Sequence, residues 1–180
     1  MNKINSGKKK VFEILVKYNE ITNQEMIKIL ESVEKNLLTK DLGSYYKSIM
    51  GLLNHMLTAD VAWLRSLGKY VKSLNFLTEL IEKFPQEAID PQNLFWNSLK
   101  EFKTARIEMD QILTRTVQTM SDSDYDATIT ISGRRGERDY IIWKIFLHLF
   151  NHHTHHRGGV AVLLDQLGIE NSYSNLVWKV

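Results

Sequence analysis

Apolar residues recur at three- and four-residue steps along four long stretches of the chain, and this period predicts four helices. Ser44 suits the N-cap of the second helix, and Pro91 suits the first turn of the third. Thr22 and Glu25 would also form a capping box, so the first helix either runs unbroken or restarts near Asn23; we prefer the unbroken version. The predicted helices cover residues 8–36, 45–67, 91–120 and 140–167.

The connections between these helices complete the predicted fold. Residues 69–91 form a long crossover with one short helix near 75–84. β-branched residues alternate over 126–132, and residues 138–142 can return as a second strand after two glycines. We therefore expect an all-α protein, a four-helix bundle with a long crossover between the second and third helices and a small β-hairpin before the last helix. The prediction is one domain over residues 1–180.

Composition restricts the chemistry that this chain can carry. The chain has no cysteine, which excludes disulfides, thiolate metal sites and a cysteine nucleophile. Any bound metal must therefore have nitrogen and oxygen ligands. Glu13 and Lys17 interrupt the N-terminal apolar stretch, and no uncharged run approaches the ~20 residues that cross a bilayer. We expect a cytoplasmic protein with no membrane partner.

The charge of the chain gives little support to nucleic-acid binding. The net charge of +2 is small for a protein that binds phosphate backbones. Arg134, Arg135 and Arg138 form a modest basic cluster at the predicted hairpin tip. A nucleic-acid partner is therefore the weakest of the functions that we consider.

Five of the six histidines lie within nine residues of the last predicted helix, and the sixth, His55, lies on the apolar face of the second. Imidazole is the commonest protein metal ligand. His148 and His156 are ~12 Å apart along the helix axis, at ~1.5 Å per residue, so they cannot bind one ion together. The four-apart pair is then His148 with His152, or His152 with His156; three-apart pairs such as His152 with His155 are also geometrically possible but lie less inward. Joined by His55, either pair gives three nitrogens with open positions, as in catalytic metal sites.

The apolar period of the last helix places these histidines differently. His148, His152, His156 and Gly159 continue the side that Ile141, Ile145 and Leu149 mark as the core, whereas His153 lies off it. A simpler interpretation remains beside the metal site. A single core histidine is usually hydrogen-bonded, and a histidine-rich tract is also an adventitious metal binder.

Three motifs together resemble the DinB family over nearly the whole chain. The first is Tyr18-Asn19-x-x-x-Asn23, and the second runs from Asp41-Leu-Gly-Ser through His55 and Asp60 to Trp63-Leu. The third is His148-Leu-Phe-Asn-His152-x-Thr-x-His156-Arg157-Gly158. Three ordered motifs at compatible separations are far more specific than any one of them.

The resemblance implies a four-helix bundle that holds a divalent ion, nickel or zinc, through His55, His152 and His156. Members are often homodimers, and more distant relatives are transferases and isomerases that use low-molecular-weight thiols. The family's arginine–glycine is usually followed by glutamine, where this chain has Gly159. Either the pocket is more open here, or Gly158 and Gly159 permit close helix packing. Asp60 is interpreted as a member of a structural ion pair and not as a ligand, and Arg157 as a buried or interhelical partner and not as a catalytic group.

Three functions follow from these residues. The preferred hypothesis is a metal-dependent enzyme, similar to a thiol transferase or a hydrolase, that acts on a small-molecule substrate such as a low-molecular-weight thiol. His148 is then a proton shuttle or a hydrogen-bond partner near the ion, or else an ordinary core histidine. The alternative is a non-catalytic stress-related bundle with a structural or sensing metal. The third is a nucleic-acid-associated protein of a damage response.

Overall fold

A computed structural model describes residues 7–85, 93–133 and 136–180 of the chain. Helices dominate the described residues, and the two strands form one antiparallel hairpin. The helices are α1 (Lys8–Leu30), α2 (Lys35–Thr39), α3 (Ile49–Tyr70), α4 (Phe76–Glu82), α5 (Leu99–Thr119), α6 (Asp122–Asp126) and α7 (Ile142–Gln166). The strands are β1 (Thr128–Gly133) and β2 (Gly136–Ile141).

The four long helices pack as a bundle, which confirms the predicted fold class. α1 packs on α5 and α7, and α3 packs on α7 and α5. The crossover between α3 and α5 contains the short helix α4, as predicted, and α4 packs on α3. The hairpin lies between α6 and α7, also as predicted, and Ile129 anchors it in the core. No helix among the described residues is long and apolar enough to cross a membrane.

The first predicted helix is shorter in the structure. α1 ends at Leu30, and a turn separates it from the short helix α2. The Ser32 hydroxyl donates to the Ile29 carbonyl at 2.7 Å, a local bond that competes with continued helix. Asn23 lies inside α1 and is buried, so the alternative break at that residue does not occur.

The second predicted helix begins one turn too early. Ser48, not Ser44, is the N-cap of α3, and its hydroxyl accepts from the Gly51 backbone N–H at 3.1 Å. Residues 44–47 instead form a tight turn, closed by the Lys47 N–H donating to the Ser44 carbonyl at 2.9 Å. The sequence offers two serines for this cap, and only the packing of the turn selects between them.

The start of the third predicted helix is also wrong. Pro91 lies outside the described residues, and residues 93–98 are not helical. The Asn54 side chain forms two bonds to the Trp96 backbone, at 2.9 and 3.0 Å, which holds this segment against α3. α5 then begins at Leu99, after a capping box between Ser98 and Glu101.

The last helix and the hairpin differ from their predicted bounds by only a few residues. α7 begins at Ile142, directly after β2, and ends at Gln166, with Gly168 at a φ of 70°. Arg138 is exposed on β2. The other two members of the predicted basic cluster, Arg134 and Arg135, lie outside the described residues.

A charged cluster is buried where α3, α5 and α7 meet. Arg106 Nη1 donates to Asp60 Oδ2 at 2.6 Å, and Arg106 Nη2 lies 2.9 Å from Asp110 Oδ1. His153 Nε2 lies 2.8 Å from Asp60 Oδ1. Asp60, Arg106 and His153 are completely buried. Removing one partner from such a cluster typically costs about 3–5 kcal/mol, since it leaves an uncompensated buried charge.

The cluster extends to α1 through amide side chains. Asn23 Nδ2 donates to Asp110 at 3.0 Å, and Asn23 Oδ1 accepts from Arg157 Nη1 at 3.2 Å. Asn19 Oδ1 accepts from the same Arg157 nitrogen. Asp60 thus forms a structural ion pair with Arg106, and Arg157 is a buried interhelical partner of Asn19 and Asn23, as the sequence predicted for each. All four long helices contribute to this one network.

Acid should destabilise the fold through Asp60. Burial by itself raises the pKa of this carboxyl, but the charges of His153 and Arg106, and then the hydrogen bonds from both, lower it to about 2, from 3.8. A carboxyl whose pKa is lower in the folded than in the unfolded state stabilises the fold at pH values above its unfolded-state pKa. This stabilisation is lost as the pH falls through the folded-state pKa. We expect the free energy of unfolding to decrease by about 2 kcal/mol between roughly pH 4 and pH 2 from this group.

Urea denaturation at a series of pH values, followed by circular dichroism, measures this effect. Asp60→Asn should have a smaller pH dependence in that window. Glu79→Gln, which changes an exposed side chain on α4, is the matched control and should behave as the parent protein does. Equal acid sensitivity in the parent and in Asp60→Asn would contradict the prediction.

Candidate metal centre

Three histidines from two helices converge at one edge of the α3–α7 interface. The His55 Nε2 atom lies 3.0 Å from His152 Nε2 and 3.1 Å from His156 Nε2. The last two nitrogens are 3.0 Å apart, on residues one turn apart in α7. Ligand nitrogens about 2.0–2.1 Å from one ion have separations of this order, so the triangle fits the ligand set of a single metal.

The protonation of these imidazoles also suits a metal. Burial lowers the pKa of His156 to about 3 and that of His152 to about 4, and neighbouring imidazole charges add to both shifts. Burial also lowers the pKa of His55, against an opposing effect of Asp60. All three rings are therefore neutral near pH 7. A neutral imidazole carries the lone pair that a metal ligand requires.

Hydrogen bonds within the triangle cannot satisfy all three Nε2 atoms, whereas one bound cation would. A neutral imidazole carries one N–H, so the three Nε2 atoms cannot each donate to another within the triangle. A positive ion would accept a lone pair from each ring. Within the described residues, no other group of three or more histidine and acidic side chains converges closely enough to share one ion.

The structure thus brings together the second of the two pairs that helical geometry allowed. His148 lies one turn before His152, with its ring centroid 5.7 Å from the His152 ring, and it is outside the triangle. It was predicted to face the core but is exposed. Its other aromatic neighbour is Trp63, at 5.5 Å between centroids.

The prediction for His153 was wrong. This side chain was expected to lie off the core side of the helix, yet it is completely buried and bonded to Asp60. The buried stripe of α7 is rotated from the predicted one, so His153 is near its centre and the two triangle residues are at its edge. The buried residues of α7 are Ile142, Ile145, Phe146, Leu149, Phe150, His153, Arg157, Val160, Leu163 and Leu164.

A signal for His153 was present in the sequence. Asp60 lies in the apolar second helix, and a buried carboxylate requires a buried donor from another element. His153 is one of the few side chains on the last helix that can supply this donor. Because four other histidines lie within five residues of His153, the residue type alone did not identify which of them donates to Asp60.

Gly159 lies against α3 close to the metal centre. A Cβ atom added there would be 3.0 Å from Leu52 Cδ2, whereas one added at Gly158 would meet nothing within 4 Å. This contact supports close helix packing as the role of Gly159 but not of Gly158. A side chain at position 159 would require the end of the Leu52 side chain to shift by a few tenths of an ångström.

Two aromatic side chains near the histidine triangle, Tyr46 and Trp63, were not predicted as part of the site. Tyr46 stacks on the His55 ring with centroids 4.1 Å apart, and its ring edge meets His156 at 5.8 Å. Trp63 contacts His148, the neighbour of His152, and its ring centroid lies 5.7 Å from that of Tyr140. Tyr46 was predicted to be helical, so its position in the turn before α3 was not anticipated.

Comparison with known proteins agrees with the resemblance found in the motifs. The model of the DinB family matches residues 2–180. Protein DinB of Bacillus subtilis (strain 168) is 24% identical over 156 residues, which is 86% of this chain and 84% of that protein. The family match extends over every element that contributes a histidine to the metal centre. The chain therefore belongs to the DinB family.

Proposed function

We propose that this protein binds one divalent ion, nickel or zinc, through His55, His152 and His156, and that it is a metal-dependent enzyme. The observation that carries the proposal is the triangle of Nε2 atoms, each within 3.1 Å of the other two. Nitrogen ligands suit both metals. A bound ion would supply Lewis acidity, which polarises a substrate oxygen or keeps a substrate thiol deprotonated near neutral pH.

The location of the metal centre favours a functional over a structural ion. The three histidines are half-buried at the edge of the bundle, so one side of the triangle remains accessible. The core below them is closed by apolar side chains and by the buried ion network. Three protein ligands with an open position are typical of catalytic sites, whereas structural sites usually have four.

The neighbouring side chains suit a transfer or hydrolysis reaction on a small molecule. His148 is exposed, one helical turn from His152, and can exchange a proton between the substrate and solvent. Asp60 is fully engaged by Arg106 and His153, so it does not act as the base. Because the chain has no cysteine, a reacting thiol would come from a low-molecular-weight substrate. A homodimer remains an expectation from the family resemblance.

Metal binding is the first part of the proposal to test. Protein purified without a histidine tag should bind about one nickel or zinc ion per chain. His55→Ala, His152→Ala and His156→Ala should each reduce affinity by roughly 100-fold, since a lost ligand exceeds the effect of a lost hydrogen-bond partner. Isothermal titration calorimetry measures the affinity, and elemental analysis measures the metal content.

His155→Ala is the matched control for these variants. It removes an exposed imidazole from the same helix, next to His156 but outside the triangle, and should bind metal as the parent does. The metal-free alanine variants should melt within a few degrees of the metal-free parent. Unchanged affinity in all three ligand variants would contradict the proposal, and collapse of the fold on metal removal would favour a structural ion.

Catalysis is the second part. The nickel- or zinc-loaded protein should accelerate the reaction of low-molecular-weight thiols with organic electrophiles, or the hydrolysis of small esters and amides. His152→Ala should abolish this activity, and His148→Ala should lower the turnover number at unchanged metal content. Product formation is followed by chromatography. Stoichiometric metal binding without turnover of any substrate would favour the alternative, a sensing bundle.

A further inference from the structure

The tightest aromatic contact at the metal centre joins Tyr46 to His55. Their ring planes are inclined by only 18° and their centroids are 4.1 Å apart, so the phenol covers one face of the imidazole. The same phenol meets His156 edge-on, at 80° and 5.8 Å. One side chain outside the triangle thus contacts two of its three members.

Outside the triangle, the Tyr46 ring is the aromatic neighbour that restrains the His55 ring in the described residues. A metal-binding histidine usually donates its second ring N–H to an acceptor, which fixes the ring and its tautomer. In the described residues, the hydrogen bonds of the His55 ring involve only Nε2, and Nδ1 has no acceptor. The terminal torsion of a histidine has a broad energy minimum, so an unrestrained ring would rotate. The stacked phenol limits that rotation.

The backbone holds Tyr46 firmly in this position. The Ser48 N–H donates to the Tyr46 carbonyl at 2.8 Å, and the Leu42 N–H donates to the Lys47 carbonyl at 2.7 Å. Lys47 has a φ of 67°, a left-handed conformation that non-glycine residues rarely adopt. The turn is therefore specified by several bonds, which is what maintains such a conformation.

Gly51 permits the turn to reach its place. A Cβ atom added at Gly51 would lie 2.0 Å from the Tyr46 carbonyl oxygen and 3.2 Å from its carbon. These are backbone atoms, so a side chain at this residue would displace the whole turn. Gly51 is one helical turn before His55 on α3. The glycine that admits the turn and the histidine that the turn orients are therefore neighbours on one helix.

We propose that Tyr46 is a positioning residue for the metal centre: held against Gly51 by its turn, its ring fixes the orientation of the His55 imidazole toward His152 and His156. This inference rests on the proposed metal-binding function. It assigns no chemistry to the phenol hydroxyl, because the contact is made by the ring.

Cobalt(II) binding to the full-length protein tests this role, because its visible spectrum reports ligand geometry. Tyr46→Phe keeps the ring and should bind cobalt as the parent does. Tyr46→Leu should weaken binding by roughly tenfold, the lower range for lost orienting partners, and change the spectrum. Gly51→Ala should do the same although Tyr46 is intact. Gly158→Ala is its matched control, because a methyl there meets nothing within 4 Å.

A metal-free measurement separates this inference from the proposed function. The stacked aromatic ring at position 46 should shift the His55 ring protons upfield in the NMR spectra of the metal-free parent and of metal-free Tyr46→Phe. The shift should be absent in Tyr46→Leu, which lacks the ring, and in Gly51→Ala, in which the turn is displaced. If the shift is present and the parent binds no cobalt, the proposed function fails while the orientation of His55 by Tyr46 stands. Parent-like affinity and spectrum in folded Tyr46→Leu would overturn the positioning role.

Discussion

The buried contact between Asp60 and its two donors is the constraint on which the triangle of His55, His152 and His156 depends. Asp60 is on α3, Arg106 on α5 and His153 on α7, so one carboxylate fixes three helices relative to one another. Because all three side chains are buried, any other rotation of α7 would leave a charge or a polar group without a partner. With His153 directed at Asp60, the adjacent His152 must point to the edge of the interface, where His55 lies.

The same rotation explains why the three histidines are only half-buried. They are buried enough that desolvation and mutual repulsion lower the pKa values of His152 and His156 to about 4 and 3, which keeps the rings neutral. They are exposed enough to leave one side of the triangle toward solvent, as the proposed function requires. A fully buried triangle would have the first property without the second.

The histidine triangle is restrained by different interactions on α3 and on α7. The rotation of α7 is fixed by hydrogen bonds of His153 and Arg157 to Asp60 and Asn19 in the bundle interior. α3 also contributes Asp60, but the His55 ring itself is restrained by the stacked Tyr46 ring from a turn outside the helix. Gly51 leaves space for the backbone of the turn that carries Tyr46 to approach α3. Gly159 leaves space for Leu52 of α3 to approach α7.

Much of this protein follows from local sequence signals. The period of apolar residues predicted the long helices, the alternation before the last helix predicted the hairpin, and four-residue spacing restricted the histidine pairs that one ion can share. The family motifs then selected His55, His152 and His156. Helix ends were less accurate, because Ser44 and Ser48 are equally good caps as isolated residues. The segment before α5 was misjudged because Asn54 takes the backbone bonds of Trp96.

What the sequence by itself determined is the identity of the elements and the residue types available at each face, since these depend on spacing within one helix. Only the tertiary structure decided which face of α7 is inward, because an apolar stripe tolerates a rotation that a buried hydrogen bond does not. That choice exchanged the expected places of His148 and His153. The tertiary structure also revealed the stacking of Tyr46 on His55. This contact forms between a turn and a helix, so no periodic pattern of residues along the chain predicts it.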